Sequence, residues 1–357
     1  MNFKDRYGPL DRLLHDIAFR AGYAQRALAD IEEIIYKERL KDVRVDQPVF
    51  ITALPRSGTT ILLQLLYDSG YFASHTYRDM PFVLCPLVWS RFSTRFTVDH
   101  TSRERSHGDG LEVSADSPEA FEEMIWKSYW PNHYKSDRIV PWTSVERNVE
   151  FEKFLEGNMR KVVTLRQGKS THPMHYVSKN NLNIARLSSL PGPLRRGVFL
   201  IPFRDPVQHA ASMLRQHERF TRLHEQDDFD RRYMEAIGHH EFGKGLRPVD
   251  FGAWLEKAPP SNQLAFWLQY WIAAYRHVLE HVSTSVRLIC YADLTTRPKS
   301  ELARIAAAVG VGDEELTSQA GRVRPPRSHD VLQMDIPVPV REEAEDLYHC
   351  LEQLARD

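Results

Sequence analysis

Cysteine is scarce in this 357-residue chain: only Cys85, Cys290 and Cys350 occur. Their number is odd, their spacing wide and no C-x-x-C pair exists, so no disulfide framework is expected and a reducing compartment fits. An apolar signal core is missing from residues 1–9, and no run approaches the roughly 18 apolar residues of a membrane span. A cytoplasmic location is the expectation. Excess charge of one sign is lacking too. Lys and Arg number 47 against 48 Asp and Glu, a formal net charge of −1. Nothing global therefore draws the chain to nucleic acid or to a strongly acidic polymer, and any anion site must be local. The sixteen histidines are read as scattered, with no pair assigned the spacing of a zinc-binding helix, so no metal is expected. Repeats, low-complexity tracts and dividing linkers are also missing. With 42% apolar and 27% charged residues, the chain reads as one globular domain over 1–357.

What is present centres on residues 49–66, VFITALPRSGTTILLQLL. Val49 to Thr52 is a short β-branched and aromatic run, a strand signal. Ile61, Leu62, Leu65 and Leu66 recur at helical spacing, so a helix starts near Gly58 or Thr59. Between them, Pro55-Arg56-Ser57-Gly58-Thr59-Thr60 places a glycine and a positive charge at a helix N-terminus. There the free N–H groups and the helix dipole favour an anion, such as a phosphate. The nucleoside-triphosphate loop G-x-x-x-x-G-K-[ST] is only partly met. Ala53 stands for its first glycine and Thr59 for its lysine, while the charge has moved to Arg56.

A second stretch, Val198 to Phe203, reads as a strand buried on both faces, with Pro202 near its end. Arg204-Asp205-Pro206 follows and opens a helix, with Ser212 two turns in. Guanidinium and hydroxyl suit a cluster of phosphate oxygens. Both stretches put basic groups at the C-terminal ends of strands, where open α/β sheets bind ligands.

The PRSGTT loop, with the RDP turn and its serine, resembles the sulfotransferases that use 3′-phosphoadenosine 5′-phosphosulfate (PAPS). The resemblance touches residues 49–82, 175–220 and 286–310. It implies a nucleotide-kinase-like P-loop sulfotransferase fold: α/β, a mostly parallel central sheet flanked by helices, with helical insertions near 84–170 and 215–260. Strands are expected near 49–53, 75–79, 175–178, 198–203 and 286–291. It also implies that Arg56, Ser57, Gly58, Thr59 and Thr60 hold the 5′-phosphosulfate and that Arg204 and Ser212 hold the 3′-phosphate. Asp79 matches the segment that carries a general base in the family, though glutamate is usual there. His107, beside Asp109 in a glycine-flanked loop, is the rival base, and the choice stays open at this point. Lys179, at a strand end, resembles the lysine beside the transferring sulfuryl group. The implied activity is in-line transfer of a sulfuryl group from PAPS to an acceptor hydroxyl. The acceptor is a carbohydrate, glycolipid, small molecule or tyrosyl group, and a homo-oligomer is compatible. A small-molecule P-loop kinase and a non-catalytic nucleotide-binding protein are the alternatives.

Elsewhere, residues 10–40 read as amphipathic helix that packs against the sheet or a partner subunit. Ser117 and Pro118 match a helix start, with Glu119, Glu122 and Glu123 complementing its dipole rather than doing chemistry. Trp126, Tyr129, Trp130, His133, Tyr134 and Trp142 form an aromatic segment that fits either core or acceptor pocket. Residues 215–250, charged and glycine-containing, read as a lid. Residues 261–282 carry the clearest long apolar stripe. Arg322, Arg324 and Arg327 cluster near Pro325 and Pro326, where the resemblance implies a basic segment over the 3′-phosphate.

Overall fold

The computed structural model describes residues 22–96, 103–104, 112–168, 173–190, 192–226, 228–326, 328–329 and 336–356. Helix expected over 10–21, His107 and Asp109 in their loop, and Arg327 lie outside the described residues. Five strands form one sheet: β1 (Val49–Ile51), β2 (Phe72–Ala73), β3 (His175–Lys179), β4 (Val198–Phe203) and β5 (Val286–Cys290). Their order is β2-β3-β1-β4-β5, and every neighbouring pair is parallel. Ile51 is in register with Lys179 on one side and Leu200 on the other. The connections from β1 lead to one flank of the sheet and those from β4 to the other. The crevice between their C-terminal ends is therefore the switch point at which such sheets take ligands.

Both sheet faces are covered, which explains why β1 and β4 are apolar at every position rather than alternating. Val49, Ile51, Val177, Val198 and Leu200 pack on one face against α2 (Thr59–Asp68) and α10 (Pro298–Val309). Phe50, Tyr176, Phe199 and Ile201 point the other way, toward α5 (Val149–Gln167) and α8 (Leu264–Glu280). Trp267, Trp271 and Tyr275 of α8 are fully buried there, as its stripe predicts. The C-terminal helix α11 (Val338–Arg356) adds Leu351 to the same face.

Two local expectations need correction. No strand spans 75–79: β2 ends at Ala73, and Tyr77–Asp79 is a 3-10 turn closed by reciprocal bonds between Thr76 and Asp79. No helix opens at Ser117: its hydroxyl accepts from Ser114 N, and α4 (Glu123–Tyr129) starts later. Residues 215–250 are largely helical, in α6 (Pro206–Gln226) and α7 (Asp228–Ala236). Gly243 is packed so tightly on the His224 ring that an added Cβ would lie 2.6 Å from it. Much of the segment read as a lid is thus helical, with Gly243 packed on α6. The aromatic segment is mostly core, with Trp126 and Trp142 fully buried.

The N-terminal helix α1 (Gly22–Ile35) is held by charge rather than by its apolar stripe. Leu28, Ile31, Ile34 and Ile35 are exposed, whereas Ala29 and Glu32 are buried. Lys161 of α5 lies 3.1 Å from the Glu32 carboxylate and donates to the Ala29 carbonyl at 2.8 Å. Glu32 also accepts from Val88 N at 2.6 Å, which brings in α3 (Pro86–Phe96). Lys161→Ala leaves Glu32 buried without its cation and should cost about 3–5 kcal/mol in urea unfolding. Arg196→Ala, at the exposed pair with Glu156, should cost about 1 kcal/mol or less.

Candidate active site

The chain leaves β1 with Thr52 N donating to Leu200 O at 3.0 Å, so the loop begins tied to β4. Arg56 and Gly58 both have positive φ, at 73° and 106°. Gly58 is the N-cap of α2 and offers no capping side chain, so the first-turn N–H groups are left for another acceptor. The Ser57 hydroxyl is buried and has no hydrogen-bond partner. Beneath the loop lies Tyr291, whose ring would stand 2.5 Å from a Cβ added to Gly58. Tyr291 opens α9 (Tyr291–Thr296) directly after β5, and its hydroxyl donates to Arg324 O at 3.2 Å.

The β4 exit meets this loop side by side. Arg204 Nη1 donates to the Arg56 carbonyl at 2.8 Å, and Arg56 Nε donates to Ser212 Oγ at 3.4 Å. Thus Arg56, Arg204 and Ser212 form one cluster rather than two separate grips. Burial, with the Arg56 charge adding to it, pulls the Arg204 pKa down, the signature of a cationic spot that an anion would relieve. His209 donates from Nε2 to the Pro55 carbonyl at 2.8 Å. Burial, joined by the charge of Arg204, pushes its pKa down to about 3, so this tether is a neutral ring.

Lys179, at the end of β3, reaches the same place. Its Nζ donates to Thr60 Oγ1 at 3.1 Å and lies 3.4 Å from Glu119 Oε1. Glu119 also accepts from Tyr77 Oη at 2.7 Å and is buried. Its neighbours hold the flanking strand positions. Glu122 accepts from Ser178 Oγ at 2.7 Å, and Glu123 accepts from Asn180 Nδ2 at 2.7 Å. Glu123 is paired in turn with Arg186, whose guanidinium lies 3.8 Å and 4.2 Å from the Trp126 and Trp142 ring centres. Asn181 accepts from Thr59 Oγ1 at 3.4 Å and donates to Glu241 at 3.1 Å. The carboxylates of Glu119, Glu122 and Glu123 thus fix Lys179 and both its neighbours, instead of merely complementing a helix dipole. Three glutamates amid aromatic residues were the available signal of buried charge.

Asp79 is placed differently from the base expected there. It is buried, 2.5 Å from Arg166 Nη2 and 3.3 Å from His75 Nδ1, and accepts from Thr76 N at 2.9 Å. Burial alone would raise its pKa, but the Arg166 charge and the His75 hydrogen bond overcome this and hold the carboxyl below its ordinary value. A carboxylate so engaged suits structure better than proton abstraction.

Alanine at position 58 would have to adopt a left-handed conformation, at about 1–2 kcal/mol, besides meeting Tyr291. Tyr291→Ala should relieve only the contact, so a double-mutant cycle by chemical denaturation should recover part of the loss. Asp79→Asn should cost about 3–5 kcal/mol near neutrality by stranding Arg166. A depressed folded-state pKa gives stability that is present above the unfolded value and lost as pH falls through the folded one. Urea melts should therefore show a full gap above about pH 5 that narrows below about pH 4. A gap that stays constant would refute the ion pair as its source.

No protein-family model matches the sequence, and no curated protein matches it. Solved structures do resemble it. Sulfotransferase STF9 from Mycobacterium avium superposes with a TM-score of 0.52 at 14% identity, covering 97% of this chain and 86% of that one. Sulfotransferase STF1 from Mycobacterium tuberculosis gives 0.47 at 14% identity, over 93% and 84%. The chain has the α/β fold of STF9, with the parallel sheet and the strand–loop–helix of β1 and α2 at its centre.

Proposed function

We propose that the protein is a PAPS-dependent sulfotransferase that moves a sulfuryl group to an acceptor hydroxyl. The observation that carries this reading is the direct contact of the two basic segments, Arg204 to the Arg56 carbonyl and Arg56 to Ser212, at the mouth of the sheet. One donor bearing two anionic ends fits such a cluster better than two unrelated anions would. The α2 N-terminus, the Ser57 hydroxyl and Arg56 would hold the 5′-phosphosulfate, with Thr59 and Thr60 beside it. Arg204 and Ser212 would hold the 3′-phosphate. The lysine that a triphosphate loop needs is replaced by Thr59, which favours PAPS over ATP.

In the transfer, the acceptor oxygen forms a bond to sulfur while the bond from sulfur to the bridging phosphate oxygen breaks. The products are a sulfate ester and adenosine 3′,5′-bisphosphate. Such a reaction needs alignment and charge neutralisation rather than a covalent enzyme intermediate. Lys179 would stabilise charge growing on the bridging oxygen. The acceptor proton would go to Glu119, the carboxylate that shares the Lys179 ammonium with Thr60. This reading favours Glu119 over Asp79 as the base, with His107 as the rival.

Calorimetry should show adenosine 3′,5′-bisphosphate binding without metal and more tightly than ATP with Mg²⁺. The opposite ranking would favour the kinase reading and sink this one. Arg204→Ala should weaken that binding. Glu119→Gln should lower kcat by about 10²- to 10⁴-fold, read as sulfuryl mass gain on a responding acceptor, with nucleotide affinity held. His107→Gln should leave kcat near wild type; a reversed pattern moves the base to His107.

A further inference from the structure

The sequence pattern His277-Val278-Leu279-Glu280-His281 closes helix α8, with the two histidines one turn apart. This is the ligand spacing of a zinc-binding helix, and it corrects the expectation that no pair of histidines has it. Ligand atoms of His277, Glu280 and His281 all lie within 4.8 Å of one another, and the two imidazole centres are 4.3 Å apart. We propose that these three side chains form a binding site for a divalent transition metal, zinc by preference, that clamps the end of α8.

Three features support the assignment. His281 uses Nδ1 on the His277 carbonyl at 2.8 Å, which orients the ring and leaves Nε2 for a ligand. Metal-binding histidines are commonly fixed in this way, through the ring nitrogen that does not bind metal. The Nε2 of His277 is buried and has no hydrogen-bond partner, although the ring is only half-buried and packs on Phe251 at 4.8 Å. An orphaned imidazole nitrogen beside two further ligands is a cost that a cation removes. Finally, the three groups stand at a helix C-terminus, where the dipole favours positive charge.

Ligand chemistry selects the metal. Two imidazoles and one carboxylate suit zinc, whereas magnesium and calcium take oxygen sets. Zinc–nitrogen bonds of about 2.0–2.1 Å require the ligands to close up slightly, which the exposed Glu280 side chain permits. The position also separates this site from the transfer chemistry. Only a short connection, 281–285, leads from α8 into β5, so the cluster stands near the edge where strands begin. Arg56 and Arg204 occupy the opposite edge, where strands end. The metal would thus hold α8, and the buried Trp267, Trp271 and Tyr275 it carries, without touching the donor.

The test uses the full-length chain, freed of any affinity tag and of metal by chelation, titrated with ZnCl₂ by calorimetry. One zinc per chain should bind, and the melting temperature should rise on its addition, while MgCl₂ changes neither. His281→Ala, at the half-buried cap position, should lose that one equivalent and the thermal shift while keeping the metal-free melting temperature. His277→Ala should lose the same equivalent. Failure of the wild type to bind zinc, equal response to magnesium, or unchanged stoichiometry and affinity in His281→Ala would overturn the proposal.

Discussion

The hydrogen bond from the Arg204 guanidinium to the carbonyl of Arg56 ties the β1 loop to the β4 exit at the mouth of the sheet. It forms because β1 and β4 are adjacent and parallel, with Ile51 opposite Leu200, so the loop after β1 runs beside the last residues of β4. Arg56 can present that carbonyl because its backbone is left-handed, an arrangement costly for any residue with a Cβ. His209 adds a second tie to the preceding carbonyl. The result brings two like charges together in a partly dry place, which is unfavourable until an anion arrives. Stored repulsion of this kind is how a site gains affinity from its own construction.

Facing this cationic cluster is an anionic scaffold. Around the end of β3, Glu119 holds Lys179, Glu122 holds Ser178 and Glu123 holds Asn180. Buried ion pairs add little net stability when complete and cost much when broken, so their value lies in fixing geometry. Arg186 shows how far this goes, being fully buried between two tryptophans with its charge met by Glu123. The strand end is therefore held at Lys179 and at both its neighbours.

Much of this was legible beforehand. The β1 loop, the β4 exit and the long α8 stripe were written in local pattern: a short apolar strand, small residues with a charge, then helical spacing. What pattern could not show was pairing across the sequence. Asp79 sits where a base was expected, but its partner Arg166 lies 87 residues away, and only the fold reveals that the carboxylate is spent. Glu119 was dismissed because a Ser-Pro start made a helix plausible; the turn instead pairs with Thr76 and turns its carboxylate inward. Of the two expectations for the apolar stripe of α1, packing on the sheet is the one that fails, since a buried Glu32 and not the isoleucines faces the protein. Periodicity reports a helix's faces but not which one is covered.

Tyr291 carries one more implication. Its ring supports Gly58, its hydroxyl meets the Arg324 carbonyl, and its backbone continues directly from the edge strand β5. The Gly58 half of the cleft is therefore soldered to the framework of the sheet. The opposite half rests on segments around Glu119 and Glu241 that belong to no sheet strand. That wall can be rewritten by substitution while the Gly58 loop, fixed to the sheet, keeps its shape.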